Sequence, residues 1–339
     1  KWWTPPFHFG GLVFVELLLN DDRVDINKIS NYGETPFYIS CSRGHIEIVK
    51  LLLKDKRIDT NKATNGGWTP FLIACEIGHI KVVKTLLNDQ RIVDFNEPNE
   101  DGETPFYIAC RNRHIEIVKI LLNDQRVDVN KATKDDRSPL HYACANRSVE
   151  IVKLLLNDKR IDSNKAAKDS TTPFYIACCH KYIEIVKLLL NDQRVDQNKA
   201  NNDGWTPFYV ACKYGHIEVV ELLLNDRVDI DISSNSGVTP LHDACDHGHI
   251  KIVQHILASG RRVNLAIQNN EGMTPIDISR NNKEKAHWGG EIFRDITELL
   301  ESFERDPNET RIKLRIQLGY SSSFFFLFFP FFFFLFQNF

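Results

Sequence analysis

Apolar residues fall into two kinds of short run that alternate along the chain. One kind is compact and opens on Pro, as in Pro36-Phe37-Tyr38-Ile39 and Pro207-Phe208-Tyr209-Val210. The other is broken by single polar residues, as in Ile46-Glu47-Ile48-Val49-Lys50-Leu51-Leu52-Leu53. The copy from Asn202 to Asn235 shows what these runs predict. Asn202-Asp203-Gly204 is a turn in which the Gly takes positive φ. Thr206 suits a helix N-cap, with Pro207 at the first helical position, where its missing N–H is no loss. Phe208, Val210, Ala211 and Cys212 give a short apolar helix, which Gly215 breaks. His216 starts a second helix. Its buried face is expected to be Ile217, Val219, Val220, Leu222, Leu223 and Leu224, with Glu218 and Glu221 in water. Asn225-Asp226-Arg227-Val228-Asp229 then turns the chain outward.

This unit recurs. Thr-Pro or Ser-Pro stands at Thr35, Thr69, Thr104, Ser138, Thr172, Thr206, Thr239 and Thr274, at gaps of 34, 35, 34, 34, 34, 33 and 35 residues. A damaged copy sits at Thr4-Pro5. Such a period marks a stacked array of supersecondary units. Neither helix is long enough to hold alone in water, so the apolar faces must be buried against neighbouring copies. The pairs Ala74-Cys75, Ala109-Cys110, Ala143-Cys144, Ala177-Cys178 and Ala211-Cys212 let adjacent helices approach closely. An array has no single deep pocket by default, so surface recognition comes before catalysis.

The series Asp101-Gly102-Glu103-Thr104-Pro105, Gly44-His45-Ile46-Glu47 and Val49-Lys50-Leu51-Leu52-Leu53 resembles the ankyrin repeat, over roughly residues 4 to 306. The resemblance implies an all-α-dominated repeat solenoid: β-hairpin/helix-loop-helix units stacked into a curved array that binds other proteins through hairpin tips and inner helices. Two departures stand out. The family's usual His after Pro-Leu is kept at His141 and His242 but is Tyr at Tyr38, Tyr107, Tyr175 and Tyr209, whose hydroxyls need partners if buried. Most copies are also one residue longer than the family's usual length, with the extra residue in the Asn-Asp-Gln-Arg-Val-Asp connection, where a surface loop tolerates it.

The ends differ from the middle. Residues 1–30 read as a degenerate N-terminal repeat, too short for a good first helix. With Met273 the only Met, a truncated or misread start is expected. Residues 31–272 form the main array and 273–306 a capping repeat. In the cap, Asn281–Lys285 and His287-Trp288-Gly289-Gly290 lengthen the loop, and a polar helix from about Glu291 to Arg305 has one wet side. Residues 307–339 read as a low-complexity tail, disordered or artefactual. The tail holds half of the protein's 22 Phe beyond residue 320. Its apolar run, Phe324–Phe336, is shorter than the roughly 20 residues of a membrane-spanning helix and contains Pro330. Its Ser, Phe, Leu and Pro all have all-pyrimidine codons, which points to a polypyrimidine tract read as coding.

A net charge of −3 gives no electrostatic basis for nucleic-acid binding. Seven of the eight Cys share one register, Cys41, Cys75, Cys110, Cys144, Cys178, Cys212 and Cys245, which makes them packing residues of a reducing compartment; Cys179 is the exception. No C-x-x-C pair, P-loop, G-x-S-x-G or H-E-x-x-H occurs. No enzyme, cofactor or metal is therefore expected. The series His45, His79, His114, His216 and His249 reads as loop-to-loop hydrogen bonds, because equivalent positions on stacked copies do not converge on one metal. The ladder Arg23, Arg57, Arg91, Arg126, Arg160, Arg194 and Arg227 is followed closely by Asp25, Asp59, Asp94, Asp128, Asp162, Asp196 and Asp229. It reads as a solvated edge with repeat-to-repeat pairing. Glu47/Lys50, Glu116/Lys119, Glu150/Lys153 and Glu184/Lys187 read as pairs along single helices.

Positions that vary between copies are the candidates for recognition. At the hairpin tips and near the ends of the first helices stand Tyr32, Trp68, Arg111, Arg137, His180, Trp205, Lys213 and Tyr214, the residue types that dominate binding hot spots. The Gly that ends the first helix becomes Arg113, Arg147 and Lys181 in three successive copies, a basic run that favours an acidic partner. The expectation is a cytoplasmic, monomeric interaction module or scaffold. The alternative is a membrane-attached ankyrin protein, tail-anchored or the cytosolic part of a channel-like protein, held through the Phe-rich tail alone.

Overall fold

Each Thr-Pro starts a helix for a local reason. In the computed structural model Thr35 is extended, and its hydroxyl accepts the Tyr38 N–H at 3.1 Å, with Pro36 at the first helical position. Thr69, Thr104, Ser138, Thr172 and Thr206 make the same bond. The structure describes residues 10–92, 94–224, 227–285 and 290–320. Thr4-Pro5 and the short copy's first helix, the Asn225-Asp226 turn, His287-Trp288-Gly289 and the Phe-rich segment lie outside them.

Helix α1 (Gly10–Leu19) is followed by pairs: α2 (Pro36–Ser42) with α3 (Ile46–Leu53), α4 (Pro70–Ile77) with α5 (Ile80–Leu87), α6 (Pro105–Arg111) with α7 (Ile115–Leu122), α8 (Pro139–Ala145) with α9 (Val149–Asn157), and α10 (Pro173–Cys179) with α11 (Ile183–Leu190). Then come α12 (Pro207–Lys213) with α13 (Ile217–Leu224), α14 (Pro240–Asp246) with α15 (Ile250–Ala258), and α16 (Pro275–Lys285), α17 (Gly290–Arg305) and α18 (Pro307–Gln317). The chain divides into two compact units, Lys1–Asp196 and Gln197–Phe339. In the first, α2, α4, α6, α8 and α10 form one row and α1, α3, α5, α7, α9 and α11 a second, each helix packed on the next copy's equivalent. In the second, α12, α14 and α16 form one row, α13, α15 and α17 the other, and α18 lies against α15 and α17. No strand forms among the described residues. The expected hairpins are short turns held by bonds such as Thr64 N–H to Trp68 O and Gly67 N–H to Thr64 O, both 3.0 Å, and they are chained tip to tip by bonds such as Asn65 N–H to Tyr32 O.

Phe37, Phe71, Phe106, Phe174 and Phe208, each directly after its Pro, are fully buried, and so are all seven Cys of the common register. On the second helices burial falls at i, i+1 and i+4, as in Val219, Val220 and Leu223. Leu224 is buried too, whereas Ile217 and Leu222, expected inside, are half-exposed. Residues 307–317, assigned to the tail by composition, form α18. Asp306 caps it, accepting from Asn308 and Glu309 N–H, and buried Leu314 anchors it. With so little apolar content, this helix depends on its neighbours and leaves a weak sequence signal.

Three sets of bonds tie copy to copy. The first is imidazole to carbonyl: His79 Nε2 donates to Ser42 O at 2.9 Å, His114 to Glu76 O at 2.9 Å and His249 to Lys213 O at 3.1 Å. The second corrects the expected Arg–Asp pairing. Six of the arginines, Arg23 to Arg194, pair with the Asp two residues before them, not the one after, as in Arg91–Asp89 at 2.8 Å and Arg194–Asp192 at 2.7 Å. Arg57, Arg91, Arg126, Arg160 and Arg194 then reach back to the open end of the preceding copy's second helix. Arg91 donates to Leu53 O at 2.8 Å and Asp55 O at 3.1 Å, and Arg194 to Leu156 O at 2.9 Å. A helix C-terminus exposes orphan carbonyls that favour a cation. The third set is an Asn bridge: Asn130 donates to Arg160 O at 2.6 Å and accepts Asp162 N–H at 2.8 Å. The later Asp of each motif turns the chain locally, as where Asp128 accepts Asn130 N–H. Lys50–Glu47 is the expected pair along one helix, but Lys153 bonds Glu184 of the next copy.

Candidate partner-binding surface

The proposed residues lie on both units and divide by what holds them. In Lys1–Asp196, Tyr32 stands at a hairpin tip with 75% of its surface exposed. Trp68 is half-buried on Leu72, Tyr107 and Ile108, so part of its role is packing one hairpin on the next copy. Arg111 is not a free hot-spot cation: it pairs with Glu76 at 2.8 Å and with Glu103, which joins two copies. Arg137 and His180 are exposed, and the His180 ring stacks on Tyr182 at 5.5 Å.

In Gln197–Phe339, the half-buried Trp205 stacks on Tyr209 at 5.5 Å and 14°, with Lys213 Nζ 5.0 Å from its ring centre. Lys213 Nζ also lies 3.4 Å from the buried Asp243 carboxylate. Tyr214 is half-exposed beside His216. Asp243, Asp246 and His247 cluster here, but Lys213 already meets Asp243, and His247 Nδ1 bonds Asp243 O at 2.9 Å.

Sequence reasoning missed Tyr142 and Asp243. Both occupy the register held by Ile39, Ile73, Ile108, Ile176 and Val210 in other copies. Tyr142 sits edge-on to Tyr107 at 5.3 Å and adds to the surface on which Trp68 packs. Comparing copies within this one register exposes both. Burial, with Glu34 and Glu76 nearby, pushes Tyr38 up to about 12, and burial also raises Tyr107, which makes both weakened acids. Burial likewise raises the pKa of the core thiols, such as Cys110, which makes them poor nucleophiles.

Helix pairs joined by short turns and packed only on neighbouring copies define a stacked helical-repeat protein. Ankyrin-repeat family profiles match residues 8–97, 90–167 and 159–234 as sets of three copies, and a many-copy ankyrin profile matches residues 225–279. The chain belongs to the ankyrin repeat family, whose repeats are generally non-enzymatic protein–protein interaction modules. Among solved structures it is similar to the ankyrin repeat domain of Bcl-3, a member of the IkappaB protein family. That likeness has 24% identity and a TM-score of 0.59 and covers 63% of this chain and 95% of that one; it shows the fold alone. No curated protein sequence matches the chain.

Proposed function

We propose that the chain is a cytoplasmic, monomeric scaffold that binds partner proteins through hairpin tips and the ends of the first helices. The observation that supports it is Tyr32: a large aromatic on a well-bonded tip, three-quarters exposed, one tip before Trp68. The Tyr32 backbone is already fixed by the tip bonds, so docking orders only the side chain. Arg137 and Tyr214 are further exposed anchors. The partition into a degenerate start, an array over 31–272 and a cap over 273–306 goes with this reading, with α18 added to the cap. The test is retention of partners from a native lysate by the wild-type chain and by Y32A/R137A, which removes exposed side chains only. An unchanged set of retained proteins would refute this face. The membrane-attached alternative rests on the Phe-rich segment, outside the described residues; among those, no helix is long and apolar enough to cross a membrane.

A further inference from the structure

The loop between the first and second helix turns through positive φ in each copy from α2/α3 to α14/α15. Gly44 and Gly78 take 69° and 91° there, whereas Arg113, Arg147 and Lys181 take 59°, 53° and 56°. L-residues resist this conformation and Gly does not, so the fold itself does not call for these cations. All three are exposed.

For two of the three the neighbour has changed as well, whereas the copy after Lys181 keeps its His, His216. A Cβ on Gly44 would lie 2.6 Å from the His79 ring, and one on Gly78 2.7 Å from His114. After Arg113 and Arg147 that His is replaced by Ser148 and Tyr182. Arg113 donates to Asn146 O in the next loop at 2.7 Å. The Arg147 guanidinium lies 6.0 Å from the centre of the Tyr182 ring, on which His180 stacks. An open cavity of ≈ 300 Å³ lies here, lined by Arg147, Lys181, Tyr182 and Lys187 beside Val149 and Ile183. Glu184 is the one carboxylate in its lining, and Lys153 holds it at 3.1 Å.

We propose that Arg113, Arg147 and Lys181 form a second docking surface, distinct from the hairpin face, for an acidic segment of a partner protein. Its spaced carboxylates pair with the three cations, and one side chain enters the cavity beside Tyr182. A nucleic acid fits less well. Exposed Glu116, Glu150 and Glu184 alternate with the cations on the first turns of α7, α9 and α11 and would repel a continuous polyanion.

The probe is a fluorescein-labelled peptide of repeated Glu-Ser-Gly, titrated with the full chain and read by fluorescence anisotropy. R113G/R147G/K181G is expected to melt at or above the wild-type temperature and to bind about tenfold more weakly, the sum of three exposed charge pairs. K50S/K56S/K81S removes the same charge elsewhere and is expected to bind like wild type. If the glycine variant melts lower, R113Q/R147Q/K181Q gives the same reading with the backbone constraint kept. Four outcomes overturn the proposal: no peptide binding by wild type, binding by the glycine and glutamine variants as tight as that of wild type, an equal loss in the control, or tighter binding of oligothymidylate than of the peptide. Each leaves the hairpin face to its own test, because Y32A/R137A retains the three cations.

Discussion

Replacing Arg91 with Met separates two accounts of the arginine ladder. As a surface ion pair, Arg91–Asp89 would contribute about 0–1 kcal/mol and weaken with salt. The structure gives it a larger task. Its guanidinium donates to Leu53 O at 2.8 Å and Asp55 O at 3.1 Å, at the open end of α3 in the preceding copy. Bonds from a charged donor contribute about 1.5–3 kcal/mol each when buried. Arg91 is 31% exposed, so about 1 kcal/mol for each is the reasonable discount. Asp89, 14% exposed, also loses its cation, which adds roughly 1 kcal/mol. R91M should therefore destabilise by about 2–3 kcal/mol. R91K, which keeps the charge but not the fork, should lose about half of that. Urea unfolding followed by circular dichroism measures the total. Because each copy couples only to its neighbours, amide exchange at the C-terminal end of α3 should accelerate by about 30-fold or more. A loss below about 0.5 kcal/mol, or one that disappears in molar salt, would return the ladder to the status of a solvated edge.

Gly44→Ala should cost about 1–2 kcal/mol from its positive φ alone. It should cost more through the His79 ring 2.6 Å from the new methyl, and adding H79S should recover that second part; urea midpoints that show no recovery would break the Gly–His coupling. Asn130→Ala should cost about 1–2 kcal/mol by removing bonds to both Arg160 O and Asp162 N–H, and a midpoint shift equal to that of an exposed Asn elsewhere would argue against the bridge. His141 carries a pH prediction. Its Nδ1 is buried without a partner, and burial, with Arg137 nearby, lowers its pKa to about 4. The folded chain thus keeps His141 neutral while the unfolded chain protonates it below about 6.5, so stability is lost as pH falls from 6.5 toward 4. The slope approaches 1.4 kcal/mol per pH unit. H141Y, which installs the residue of four sibling copies, should flatten that slope in pH-dependent melts; parallel curves for the two chains would rule the mechanism out.

The copy number, helix starts and core register were legible because each has a local cause. Thr-Pro fixes both cap and first turn, and Phe, Ala and Cys recur at the same depth. The bonds between copies were less legible. Arg91 and Asp94 are close in sequence, yet the partners of Arg91 are Asp89 and two carbonyls nearly forty residues earlier, which no side-chain pattern displays. Ile217 and Leu222 look like core by hydrophobicity, but the i, i+1, i+4 geometry of the stack leaves them at its margin. At the candidate surface the exposed residues Tyr32, Arg137 and Tyr214 were identifiable as variable positions. That Arg111 is already matched by Glu76 and Glu103 depends on which copies touch, and composition does not encode it.

Among the described residues, the non-glycine positions with positive φ are Arg113, Asp136, Arg147, Ser170 and Lys181. Random loss of glycine would scatter such positions over all the copies. Instead they fall within one stretch of Lys1–Asp196, while Gly33, Gly44, Gly67, Gly78 and Gly102 precede it. Each costs about 1 kcal/mol against glycine. The stretch contains part of the compensation: Thr171 N–H bonds Asp169 beside Ser170, and Arg113 is tied to Asn146 O. Arg147 has the ring of Tyr182 6.0 Å away, a contact that is weak at that distance. Sequences tend to break a local rule where something other than folding is being served. The same stretch carries the exposed cations and the cavity beside Tyr182, so strain and chemistry coincide there. If glycine at 113, 147 and 181 raised the melting temperature while every binding property stayed the same, the coincidence would have no functional content, and these copies would simply be the weakest of the array.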